Sequence, residues 1–156
     1  MDVHLQFTIE RLIADYVQCI DDDRLEEWPA FFAEPCLYKI TAADNYERGM
    51  PIAMFFANTR GMLQDRVRAL REANIYEPQR YRHLVSAVRI LEQQDTVASV
   101  QSNFLVVRVM QDGATSLFLS GRYLDKVVLD GPQALFVEKL VICDSRRVDT
   151  LLAIPV

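Results

Sequence analysis

Three long runs of strand-forming residues between Val97 and Cys143 dominate the second half of the chain. The first, Val97 to Met110, ends in Phe104, Leu105, Val106, Val107, Val109 and Met110, with β-branched and aromatic groups that suit a pleated surface. Gln111-Asp112-Gly113 turns the chain into a second run, Ser116 to Asp130. That run stops at Asp130-Gly131-Pro132, where proline cannot donate to a ladder. The third run is Ala134 to Asp144. Together they predict a three-strand antiparallel meander. Its strands exceed the usual ~5–6 residues and so must twist, with Gly121 as a bend. In the first run Leu105, Val107 and Val109 alternate with Phe104, Val106, Arg108 and Met110, so neither face is plainly polar. Both faces want cover.

The first half supplies elements that can cover one of them. Leu5, Ile9, Leu12, Ile13, Tyr16, Val17 and Ile20 recur at helical spacing and predict an amphipathic helix. Asp21-Asp22-Asp23 follows; a cap or turn is favoured over a cation site, with Asp23 suited to capping the next segment. Leu25 to Phe32 reads as a short helix clustering Trp28, Phe31 and Phe32. Cys36 to Thr41 reads as a strand, Ala42 to Gly49 as a polar loop and Pro51 to Phe56 as a second strand. A third helix starts at Asn58 or Thr59, presents Met62, Leu63, Val67 and Leu70, and ends near Ala73-Asn74. Gly61 within it costs on the order of 1 kcal/mol against alanine. Arg80 to Leu91 begins the strand that leads into the meander. The last six residues, Leu151 to Val156, carry no charged side chain and should be packed. Helices and strands segregated in this order indicate an α+β fold, with helices on one face of a curved antiparallel sheet. The order resembles the cone-shaped nuclear transport factor 2-like, cystatin-like superfamily.

The 156 residues are expected to form a single domain spanning 1–156, a length sufficient to bury a core. With 17 basic and 22 acidic side chains, the chain offers no electrostatic footprint for nucleic acid or an anionic membrane. Arg66, Arg68 and Arg71 interleave with Asp65 and Glu72 and read as a solvated helix face. Cys19, Cys36 and Cys143 are odd in number and widely spaced, which favours buried thiols in a reducing cytoplasm over disulfides or a zinc site. No leader or membrane-spanning pattern is present, so a soluble cytoplasmic protein is expected.

Two histidines, His4 and His83, limit the chemistry. A Rieske cluster needs two Cys and two His at close spacing, and a mononuclear iron triad needs two more His. There is no phosphate-binding glycine loop and no Gly-x-Ser-x-Gly elbow. His83, with Asp15, Asp125 or Asp144 nearby, would be the one candidate general acid-base, as in a stand-alone cone-fold isomerase, dehydratase or cyclase. A hydrogen-bonded structural histidine is the favoured reading. Arg80, Arg82, Arg108 and Arg122 read as ion-pair or interface residues before substrate clamps.

The early helix followed by EEWPAFF, then YKITAADNYERGMPIAMF, DRVRALREANIYEPQRYRHLV and the closing EKLVICDS, carry a resemblance. The most diagnostic pieces are Arg80 to His83 and Cys143-Asp144-Ser145. The chain resembles the small (beta) subunits of aromatic-ring-hydroxylating, Rieske-type dioxygenases over nearly its whole length. Within the family it is most similar to small subunits of enzymes acting on aromatic carboxylates, terephthalate dioxygenase above all, and ALREANIYEPQRYRH carries that preference. The resemblance implies a non-catalytic assembly subunit of an NADH-dependent complex. It also implies a large (alpha) partner subunit in a mixed hexamer, with self-association as a trimer as one expectation for the small subunit alone. The Rieske [2Fe-2S] cluster and mononuclear iron are then expected in the large subunit, with no cofactor or metal in this chain. Arg80, Tyr81, Arg82, His83 and Asp144 are the expected interface residues, because they lie in the family-like stretches and offer charged or aromatic contacts.

Overall fold

The computed structural model describes residues 2–72, 77–146 and 154–156. Helix α1 (Val3–Asp21) starts where the Asp2 carboxylate accepts the backbone N–H groups of His4 and Leu5 at 3.0 and 3.1 Å. It buries the predicted stripe and adds Cys19. A 3-10 helix (Leu25–Phe31) follows and buries Leu25, Trp28 and Pro29. Its N-cap is Arg24, with no side-chain capping bond. The expected capping role of Asp23 is therefore not found. Asp23 sits at φ 59°, and its carboxylate accepts two 3.0 Å bonds from Arg71.

Strand β1 (Phe32–Ala42) is longer than predicted, and the predicted polar loop contains a short helix, α2 (Ala43–Glu47). Strand β2 (Phe55–Ala57) is shorter than the predicted Pro51–Phe56 run. The residues before it are tied to β1 without forming a ladder: Thr41 Oγ1 donates to the Ile52 carbonyl at 2.8 Å, and Met54 N–H donates to the Ile40 carbonyl at 2.8 Å. Helix α3 (Arg60–Glu72) begins after Thr59, whose hydroxyl accepts the Met62 N–H at 3.1 Å. Leu63, Val67 and Leu70 are buried as expected, whereas Met62 is 39 % exposed and lies off the stripe. The expected end of α3 near Ala73-Asn74 lies outside the described residues.

Strands β3 (Gln79–Gln94), β4 (Val97–Met110), β5 (Thr115–Val128) and β6 (Leu135–Cys143) form the meander. The sheet order is β2-β1-β6-β5-β4-β3. All pairings are antiparallel except β1 beside β6, which is parallel. The inner face carries Tyr81, Val100, Phe104, Val106, Tyr123, Phe136 and Val141, all buried in one cluster with the α1 stripe. Ala87, at φ 53° within the register shift between Ser86 and Arg89, bulges this edge strand. At Gly121, expected as a bend, the strands approach closely: a Cβ there would fall 1.9 Å from the Ile142 carbonyl oxygen of β6. No helix among the described residues is long and apolar enough to cross a membrane.

Candidate functional site

Alternation along β3 divides the predicted interface residues between two faces. Tyr81 and His83 point inward and are 3 % and 7 % exposed, while Arg80, Arg82 and Leu84 point outward. Asp144, just past β6, is exposed; it accepts the Ser120 hydroxyl at 2.9 Å, and its N–H donates to the Ser120 carbonyl at 2.9 Å.

His83 does have a carboxylate partner, but none of the three anticipated. Asp15 is on the surface with Arg11, Asp125 is bonded to Lys139, and Asp144 to Ser120. The partner is Asp21, the last residue of α1. Its Oδ2 accepts the His83 backbone N–H at 2.8 Å, and Oδ1 lies 2.6 Å from imidazole Nδ1, where the ring N–H donates. Both side chains are essentially sealed from solvent. Along β3, the Gln6 amide of α1 likewise donates to the Val88 carbonyl at 3.0 Å. Thus α1 satisfies backbone groups on the free edge of β3, which would otherwise invite another strand. The sequence did hold a signal for this pairing: Asp21 continues the Ile9, Ile13, Val17 row at four-residue spacing. His83 Nε2 is buried and has no hydrogen-bond partner among the described residues.

A cleft of about 690 Å³ opens beside this contact, lined by Asp21 to Asp23 on one wall and Pro78 to Arg82 on the other. Arg71 binds Asp23 and Glu26 together, the latter at 2.8 Å, and this holds the Glu26 carboxyl below its ordinary value. The triplet is therefore engaged by protein cations and side chains.

The interior of the curved sheet is occupied by the chain itself. Val156 is fully buried; its main-chain oxygen accepts the hydroxyls of Tyr16 and Tyr38 at 3.0 and 2.7 Å, and its N–H donates to Tyr38 at 3.2 Å. Trp28 Nε1 donates to the Tyr16 hydroxyl at 3.1 Å. Burial raises the Tyr16, Tyr38 and Tyr123 phenols well above the ordinary range, so they remain protonated; Tyr16 and Tyr38 donate, while the Tyr123 hydroxyl has no hydrogen-bond partner among the described residues. Sequence reasoning missed the ion pair beside them. Lys139 of β6 faces Asp125 of β5 directly across the ladder, with its ammonium 3.2 and 3.3 Å from the carboxylate oxygens. The same ammonium lies 3.7 Å from the Tyr123 ring centre, 4.4 Å from Phe136 and 4.6 Å from Tyr16. Burial pushes the Asp125 carboxyl up to about 6, against the pull of Lys139, and pushes Lys139 down.

These residues do not fit a Rieske cluster or a mononuclear iron. Among the described residues no three His, Cys, Asp or Glu side chains come together as a metal site. Cys19, Cys36 and Cys143 are buried free thiols; burial raises Cys19 to about 11 and Cys143 to about 12, which disfavours the thiolate that a metal requires.

The sequence model of the family described as "Ring hydroxylating beta subunit" matches residues 16–150. The terephthalate 1,2-dioxygenase terminal oxygenase component subunit beta 1 of Comamonas sp is 43 % identical over 143 residues, covering 91 % of this chain and 92 % of that protein. The anthranilate 1,2-dioxygenase small subunit of Burkholderia cepacia is 39 % identical over 155 residues, covering 99 % and 96 %. Among solved structures, the beta subunit assigned to an aromatic-ring-hydroxylating dioxygenase of Novosphingobium aromaticivorans superposes with a TM-score of 0.90 at 36 % identity, covering 97 % of each chain. An α+β cone with an engaged interior and relatives matched over nearly their full length lead to one conclusion: the chain belongs to the ring-hydroxylating dioxygenase beta subunit family.

Proposed function

We propose that this chain is the assembly subunit of an NADH-dependent oxygenase acting on an aromatic carboxylate, and that it contributes no catalytic residue. The observation that carries the second half of this reading is the seating of Val156, whose main-chain oxygen is held by the two phenols, Tyr16 and Tyr38, where a cone would otherwise admit a ligand. His83 is engaged in holding α1 to β3, which is a structural task. The substrate class rests on the terephthalate and anthranilate enzymes to which the chain is similar.

In this reading 1–156 is one domain, the Rieske cluster and the mononuclear iron reside in the large subunit, and the two chain types form a mixed hexamer in the cytoplasm. Electrons from NADH reach the large subunit through a reductase, and oxygen is added to the ring there. Of the residues expected at the interface, Arg80, Arg82 and Asp144 meet the large subunit directly, while Tyr81 and His83 support that strand from within.

The test is a tagged pull-down from the native host, with iron analysis and low-temperature electron paramagnetic resonance of the reduced eluate. A larger co-purifying chain with a Rieske signal is expected. A colourless eluate holding this chain alone would overturn the reading.

A further inference from the structure

We infer that the outer face of β3, β4 and β5 is the docking surface for the large subunit, and that it fits an apolar patch bordered by carboxylates. The inference rests on the subunit reading above and assigns its contact surface.

The register carries it. Leu84 of β3 stands opposite Leu105 of β4, and Val107 of β4 stands opposite Leu117 of β5. Paired residues share a face and lie about 5 Å apart, so these four side chains form one apolar ridge across three strands. Leu84 is 53 % exposed and Leu117 is 73 % exposed, although each lies within a strand of the sheet. Their inward neighbours Tyr81, His83, Phe104 and Val106 are all buried, so the leucines are not surplus core residues. Helices α1 and α3 pack elsewhere, α1 against β3 from the inner side and α3 against β1 and β2, while α2 lies against β1 and β6. An exposed apolar ridge on a sheet whose opposite face is already filled marks a contact surface.

Charge identifies the occupant. Arg80 and Arg82 border the ridge on the same face of β3, opposite Val109 and Val107. No carboxylate among the described residues pairs with either arginine. A second copy packed through the same face about a two-fold axis would gather both chains' Arg80 and Arg82, for which no carboxylate of their own chain is a partner among the described residues. Like charges brought together across an interface disfavour that pairing. A different chain with an apolar centre and an acidic border satisfies both the ridge and the guanidinium groups, whose fork geometry suits carboxylates. In a beta subunit that chain is the large subunit.

The experiment compares tagged wild-type chain with Leu84→Glu/Leu117→Glu and with Arg82→Glu, each purified from the native host. Retained large subunit is read by gel densitometry, and the isolated chains are checked by circular dichroism and native mass. Both leucines already face solvent, so the variants should fold as wild type. The expected result is a loss of retained large subunit of about tenfold or more for each variant, with unchanged melting and native mass of the isolated chain. Full retention by the folded variants, with wild type also retaining the large subunit, would overturn this surface and leave the subunit reading standing. A fall in the isolated chain's native mass with retention per chain unchanged would reassign the face to contacts between copies. Failure of wild type itself to retain a large subunit would instead overturn the subunit reading, and this inference with it.

Discussion

Replacing Lys139 with methionine isolates the energetics of the buried pair, because the substitution keeps most of the side-chain volume and removes only the charge. Lys139 is fully buried and Asp125 is 3 % exposed, with nitrogen-oxygen distances of 3.2 and 3.3 Å. Removing one partner of a buried pair costs about 3–5 kcal/mol, because the other charge is left uncompensated. Loss of the cation from the Tyr123, Phe136 and Tyr16 rings adds up to ~2 kcal/mol, which a thioether against the same rings offsets by about 0.3–1.5 kcal/mol. The net cost near pH 8 is therefore about 3–5 kcal/mol, or on the order of 10 °C in melting temperature for a chain of this size.

The pH dependence follows from Asp125. Its folded value, raised to about 6, exceeds an unfolded value of about 3.9, so its contribution is fully present at acid pH and is lost as pH rises through about 6. Without Lys139 the lowering influence disappears and the folded value rises further, extending the loss to higher pH. On acidification the penalty in Lys139→Met should thus shrink, by up to about 1.4 kcal/mol per pH unit, until about pH 6. Adding Asp125→Val removes the second charge and should return the chain to within about 1 kcal/mol of wild type, or above it, with the pH dependence gone. Urea unfolding followed by far-ultraviolet circular dichroism at about pH 5 and about pH 8 measures all three proteins. A Lys139→Met chain within about 1 kcal/mol of wild type at both pH values, or a double variant less stable than the single one, would refute the reasoning.

Asp21→Ala strands the His83 backbone N–H and ring nitrogen, and should cost about 2–4 kcal/mol while speeding amide exchange at His83 ahead of the central strands. Tyr38→Phe removes both hydrogen bonds between that phenol and Val156, with an expected loss of about 1–3 kcal/mol in urea unfolding. Gly121→Ala sets a methyl against the Ile142 carbonyl oxygen and should cost more than about 3 kcal/mol or prevent recovery of folded chain, as read by thermal melting. Gly61→Ala meets only Thr59 Oγ1 at 3.7 Å, so it should raise stability by up to about 1 kcal/mol in the same measurement.

The β4–β6 meander was legible because its signals are local. Glycines at φ 90° and 126° mark the two turns, Gly113 and Gly131, and the β-branched runs between them leave no competing helical period. Insertion of β1 beside β6 was not legible, since a parallel partner about a hundred residues away leaves no mark on either strand's own pattern. The same reason hid the carboxylate of His83: α1 and β3 each declare a buried face, but which residues meet depends on how the helix lies across the sheet. Tyr81 and His83 drew attention as a family-like stretch with Arg80 and Arg82, yet strict alternation sends the two pairs to opposite faces. Lys139 was the missed clue, a charge at an inward position between Phe136 and Val141, with Asp125 opposite in register.

The single tryptophan of the chain lies one hydrogen bond from the phenol that holds Val156 and packs edge-on against Phe32 and Tyr38. Trp28 is thus a built-in optical probe of the cone's interior. Its emission should be blue-shifted while the last residues are seated, and should redden when they leave and water reaches the indole. Detachment of those residues with the sheet intact would change this colour without changing the backbone signal, so the closed interior of the isolated chain could be followed without any label.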